Sequence, residues 1–212
     1  MQSFKNKDGR VIVDDMIKAI QANKDYLSKV DGAIGDGDHG INMNKGFTLC
    51  GERLRDTDSL STAMYTLGEI LFSEIGGSMG PLYGTFFMDM ASSIEDCDAI
   101  GAEEFAGMLD AAVEGISDLV DARVGDKTLM DALIPARDAF AAAKTEGKPF
   151  AEALSICKQA AEQGRDSTID LVAKFGRASR LGERSRGVLD AGATSCALLL
   201  GTMAASIIKM LG

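Results

Sequence analysis

Histidine is nearly absent: His39 is the only one in 212 residues. A histidine-built zinc site is therefore excluded. A Ser-His-Asp triad could run only through His39, and no serine sits in anything resembling a nucleophile elbow. Cysteine is sparse and scattered. Cys50, Cys97, Cys157 and Cys196 form no C-x-x-C and have no histidine at metal spacing. They read as reduced, mostly buried thiols of a cytosolic protein. Basic charge is in deficit, with 22 Lys and Arg against 32 Asp and Glu and a formal net charge of −10. That balance argues against a bulk binder of nucleic acid or of an anionic membrane. Met1 to Arg10 is polar and charged, so no secretory signal is expected.

Strand signals are also missing, because only Val11-Ile12-Val13 is β-branched and continuous. Helical spacing recurs instead. Val13, Ile17, Ile20, Leu27 and Val30 predict a first helix, and a second runs from about His39 to Leu54. The third spans Ser59 to Ile75, capped by Ser59 or Ser61 and closed by Gly76-Gly77; the fourth opens around Pro81. The fifth spans about Ala102 to Asp121. Thr128 with Asp131 resembles a capping box that launches the sixth, and Gly147-Lys148-Pro149 breaks it. The seventh starts near Phe150 and heads toward Phe175, and Gly176 to Gly192 is a long loop. Ala191 to Ile208 carries no charge but contains Thr194, Ser195, Thr202 and Ser206. It predicts an eighth helix buried on all sides rather than a membrane span.

The expected fold is all-α, a single domain over residues 1–212, built as an eight-helix antiparallel up-and-down bundle. Short connections place the loops after helices one, three, five and seven at the same end. Those loops carry the chemistry. Asp31, Asp36, Asp38 and His39 share a short stretch with Gly32, Gly35, Gly37 and Gly40. Carboxylates this close repel unless neutralised, and hard oxygens suit Mg²⁺ or Ca²⁺. A solvated acidic loop, or anions at a helix N-terminus, are the plainer readings.

Two named motifs fail on the same letters. Gly35 to Gly40 matches G-x-G-x-x-G, but helical periodicity precedes it where a dinucleotide fingerprint needs a strand. An EF-hand from Asp36 would need oxygen ligands where Gly40 and Phe47 stand. Gly76-Gly77-Ser78-Met79-Gly80-Pro81 leads into a helix and could hold a phosphate oxygen on backbone N–H groups, or be a plain glycine cap. No P-loop motif occurs. Arg177, Arg180, Arg184 and Arg186 crowd into ten residues of an acidic chain. They are either a solvated face or guanidinium forks for phosphate. His39 suits a phosphate contact; a phosphohistidine or a structural role are its alternatives.

Four strings together resemble the nucleotide-binding L subunit of dihydroxyacetone kinases, in that family's order. They are Ile34-Gly35-Asp36-Gly37-Asp38-His39-Gly40-Ile41-Asn42-Met43-Asn44, Gly76 through Thr85, Gly125-Asp126-Lys127-Thr128, and Gly176-Arg177-Ala178-Ser179 through Gly182-Glu183-Arg184-Ser185 to Leu189-Asp190-Ala191-Gly192-Ala193-Thr194-Ser195. The resemblance implies an eight-helix barrel with a nucleotide at one end. It implies Asp31, Asp36 and Asp38 as ligands of two Mg²⁺ ions, and an ADP or ATP site lined by His39, Gly40, Ile41, Asn42, Gly77, Ser78, Met79, Leu129, Arg177, Asp190, Ala191 and Gly192.

By the same resemblance the chain supplies no covalent nucleophile. A separate K subunit holds dihydroxyacetone covalently, and the phosphoryl donor is either ATP or a phosphotransferase-system protein acting through bound ADP. A homodimer is left open. The alternatives are a kinase subunit for another small ketose or four-carbon sugar, and a non-catalytic nucleotide-loaded adaptor. Met79, Ala191, Arg180 and Arg186 depart from the family pattern. Met79 removes a hydroxyl contact, Ala191 loosens the turn beside Asp190, and the two arginines suggest a partner surface.

Overall fold

A computed structural model describes residues 2–212. Its helices are α1 (Arg10–Gly32), α2 (His39–Arg53), α3 (Leu60–Glu74), α4 (Met79–Ser92), α5 (Ala102–Leu119), α6 (Met130–Thr145), α7 (Phe150–Ser167) and α8 (Ala191–Leu211). Each packs on its neighbours in sequence and α8 returns against α1, so the bundle closes into a ring. The ring's interior is filled by the apolar stripes that the periodicity predicts. Phe47, Tyr83, Phe86 and Phe87 form one aromatic group, with Phe86 and Phe87 edge to face at 4.9 Å. Phe105, Phe140 and Phe150 form another between α5, α6 and α7. By length and composition α8 could cross a membrane, but most of its apolar surface faces this core.

The one stretch with strand character is helical. Val11-Ile12-Val13 lies in the first turn of α1, where Ile12 and Val13 continue the buried face of Met16 and Ile20. Burial overrides β-propensity there. Strand pairing occurs instead between β1 (Phe4–Lys5) and β2 (Ala99–Ile100), antiparallel with Phe4 opposite Ile100. Asn6 locks the same end. Its side chain donates to the Ile94 and Cys97 carbonyls, both at 3.0 Å, and accepts from the Ser61 N–H at 3.1 Å.

Helix ends follow local chemistry. The Ser59 hydroxyl accepts from the Thr62 N–H at 3.1 Å and starts α3. Pro81 is the third residue of α4, where a missing N–H leaves no helical bond unmade. Helix seven stops earlier than its spacing predicts. The Ser167 and Thr168 hydroxyls donate back to the Gly164 and Arg165 carbonyls at 2.7 and 2.6 Å. Such back-bonding competes with the ladder. After a 3₁₀ turn at Thr168–Asp170 the backbone extends at Leu171, and the Lys174 N–H donates to the Asp126 carbonyl at 3.1 Å. Nor is the stretch from Gly176 to Gly192 an open loop. Arg177–Ser185 forms 3₁₀ turns broken at Gly182, whose φ is 55°.

Gly40 sets how closely α2 approaches α1. A Cβ there would stand 2.1 Å from the Lys24 carbonyl oxygen and 2.7 Å from the Ser28 nitrogen. Backbone atoms cannot yield as a flexible side chain does, so Gly40→Ala must push the helices apart. Such overpacking costs about 1–3 kcal/mol. Urea unfolding should record a loss of that size with an unchanged denaturant slope.

Candidate functional site

The connections after α1, α3, α5 and α7 meet at one end of the ring around a cavity of 520 Å³. Past α1, the Ile34 and Gly35 N–H groups both donate to the Asp31 carbonyl, at 3.1 and 2.6 Å, folding the acidic loop back. A Cβ on Gly35 would lie 2.3 Å from Asp31 Oδ1, so glycine is what lets the loop close over that carboxylate. The other Asp31 oxygen accepts from the His39 N–H at 3.3 Å, at the start of α2.

Asp31, Asp36 and Asp38 thereby each bring a carboxylate oxygen within 4.8 Å of the others. Partial burial, and then the charge of Asp36, push the Asp38 carboxyl above its ordinary value. A cation among them would reverse that, and an all-oxygen set fits a hard divalent ion. Across the cavity mouth, Arg177 reaches over and donates to Asp36.

His39 stands beneath the acidic loop with its ring largely enclosed. Its Nε2 lies 2.8 Å from the Ser195 hydroxyl, which lies 2.6 Å from the Tyr83 hydroxyl. Tyr83 in turn donates to the Gly192 carbonyl at 3.0 Å. This chain of bonds ties α2, α4 and α8 together under the cavity floor. Burial lowers the His39 pKa to about 4, against the opposing pull of Asp31.

Opposite, Gly77, Ser78 and Met79 bring the N-terminus of α4 to the cavity, where first-turn N–H groups have no helical partner. Asp190 caps α8 by accepting from the Ala193 N–H at 2.7 Å, and burial raises its pKa to about 7. Asp131 shapes the α5–α6 connection. Fully buried, it accepts from the Gly125 and Thr128 N–H groups at 2.6 and 2.7 Å. The Thr128 hydroxyl accepts from the Met130 N–H at 3.2 Å, so the cap is reciprocal but one residue short of a capping box.

His39, Asn42, Gly77, Ser78, Met79, Leu129, Arg177, Asp190, Ala191 and Gly192 all line this cavity with the three aspartates. Gly40 and Ile41 do not. Gly40 faces the backbone of α1, and Ile41 is 53% exposed on the outer face of α2. Met79 is among the buried residues of the cavity wall. Arg186 is engaged within its own segment, with Glu183 at 3.1 Å and the Asp170 carbonyl, whereas Arg180 is exposed.

Sequence reasoning missed Lys127, Tyr83, Ser195 and Asp131 as site residues. All four fall in or beside strings already singled out, but their partners lie up to 156 positions away.

The sequence matches the DAK2 domain over residues 33–205, and the chain belongs to that family. It is 37% identical over 202 residues to the "PEP-dependent dihydroxyacetone kinase 2, ADP-binding subunit DhaL" of Listeria innocua, covering 93% of each chain. To the "PEP-dependent dihydroxyacetone kinase, ADP-binding subunit DhaL" of Escherichia coli it is 36% identical over 183 residues, 85% of this chain and 87% of the other. Its fold is similar to that of the C. freundii dihydroxyacetone kinase solved with AMP-PNP and Mg²⁺. The TM-score is 0.67 at 24% identity, over 97% of this chain and 35% of that one.

Acid should act on His39. Its value in the fold is about 4, below the ordinary 6.5, so the unfolded chain takes up the extra proton. The contribution of its buried neutral ring is complete above pH 6.5 and is lost as the pH falls to about 4. NMR of this single imidazole should find it neutral at pH 5. Against a His39→Asn control, unfolding should reveal the matching loss of stability between those limits.

Proposed function

We propose that this chain is the nucleotide-binding subunit of a dihydroxyacetone kinase, working in the cytoplasm. The observation that carries this reading is the cluster of Asp31, Asp36 and Asp38 at the mouth of a cavity shared with Arg177 and the N-terminus of α4. The three carboxylates would hold two Mg²⁺ ions. When bound, such ions neutralise charge on the transferred phosphoryl group.

The chain's own residues do the rest by placement. Backbone N–H groups at Gly77, Ser78 and Met79 receive phosphate oxygens, as helix N-termini do. Arg177 exchanges Asp36 for a phosphate oxygen when the nucleotide arrives, keeping its charge paired in both states. The Tyr83–Ser195–His39 chain fixes the imidazole, and Asp190, Ala191 and Gly192 close the wall on the α8 side. Phosphoryl transfer needs positioning and electrostatic stabilisation rather than a protein nucleophile, and this site offers those two.

The ketone has no covalent anchor here. The proposed partner is a K subunit that presents dihydroxyacetone at the cavity mouth. The relatives' description as PEP-dependent and ADP-binding favours ADP as a resident cofactor, rephosphorylated by a donor protein, over free ATP.

Isothermal calorimetry should record ADP uptake that requires Mg²⁺. Asp36→Asn and Asp38→Asn should each weaken it by about tenfold or more, the usual scale for a lost charged ligand. The purified chain with dihydroxyacetone and ATP should give no product until a K subunit is added. Turnover by the chain alone, or magnesium-independent ADP affinity, would refute the assignment.

A further inference from the structure

Lys127 has no task in the proposed site, yet it is held in an unusual way. Among the described residues it is the one non-glycine residue in the left-handed backbone region, with φ 60°. Glycine would make that turn without steric penalty, so the reason for a lysine lies at the far end of its side chain. That side chain is buried, 1% exposed, in the cavity wall. Its ammonium donates to the Thr168 carbonyl and, at 2.5 Å, to the Val188 carbonyl.

These two carbonyls are the stems of a single excursion. The chain leaves α7 at Thr168, carries Arg177 over the cavity, and comes back through Val188 to Asp190 at the start of α8. The stems are also bonded to each other. The Gly187 N–H donates to the Ile169 carbonyl at 2.7 Å, and the Asp190 N–H donates to the Thr168 hydroxyl at 3.0 Å. Lys127 pins this closed stem to the α5–α6 connection, whose own shape Asp131 holds through two backbone N–H groups. Burial holds the ammonium below its ordinary pKa, and the nearby carboxylates of Asp190 and Asp131 oppose that without cancelling it.

We propose that Lys127 is a positioning residue for the nucleotide: by clamping both stems it sets where Arg177 and Asp190 stand at the cavity. The effect on nucleotide rests on the function proposed above, whereas the clamp stands on contacts within this chain.

Two substitutions separate a clamp from a turn residue. Lys127→Gly relieves the backbone and removes the ammonium; Lys127→Met keeps the buried length and removes only the charge. In nucleotide-free protein, hydrogen exchange at the Gly187 and Asp190 amides should quicken by about tenfold or more in both, while α1 to α4 keep their protection. With Mg²⁺ present, ADP affinity should fall by about tenfold, and Lys127→Arg should recover part of it. If Lys127→Gly or Lys127→Met, whichever folds, keeps wild-type exchange at the stem amides, the clamp is wrong. Faster exchange with unchanged ADP affinity overturns the positioning role. Absence of ADP uptake by the wild-type chain would instead bring down the nucleotide reading and the positioning role with it, leaving exchange to judge the clamp.

Discussion

Three carboxylates brought within 4.8 Å of one another repel, and the rest of this end of the molecule is arranged around that repulsion. The loop achieves the approach by having almost no side-chain bulk at Gly35 and by spending its backbone N–H groups on the Asp31 carbonyl. Arg177 supplies positive charge from the opposite side of the cavity, on a segment 141 positions away. Carboxylates gathered in this way favour a hard cation among them. The closed ring of helices makes the gathering possible, because it brings four successive odd-numbered connections to one mouth.

The charges buried behind the mouth work differently from those at its rim. Exposed pairs such as Arg123 with Asp121 contribute little to stability. Lys127, Asp131 and Asp190 are enclosed, and their hydrogen-bond partners are backbone groups. Removing one member would leave a neighbour unpaired in low dielectric, which costs far more than the pair itself is worth. Such groups fix loop shape rather than add net stability.

Local chemistry was legible in the sequence and long-range chemistry was not. Eight helices could be read from apolar spacing, and three aspartates within eight positions marked a candidate cation site, with a solvated acidic loop as the plainer reading. The letters narrowed the cap of α3 to Ser59 or Ser61, and Ser59 is the one that makes it. The end of α7 could not be read from them, since Ser167 and Thr168 suit a helix in composition and stop it only through hydroxyl bonds to the preceding turn. His39 with Ser195, and Lys127 with Val188, meet only because the ring closes, and no spacing rule reaches across 156 or 61 positions. Gly40 was grouped with the nucleotide by resemblance, but its place is the contact between two helices.

The up-and-down order has a consequence for how the barrel can be joined to other polypeptides. With an even number of antiparallel helices, α1 begins and α8 ends on the same side, and that side is remote from the cavity. The 23 residues of α1 span about 35 Å at the usual helical rise. A tag or domain attached to either terminus therefore starts a full barrel length from the cavity. A tether serving the mouth has to run the outside of the barrel to reach it.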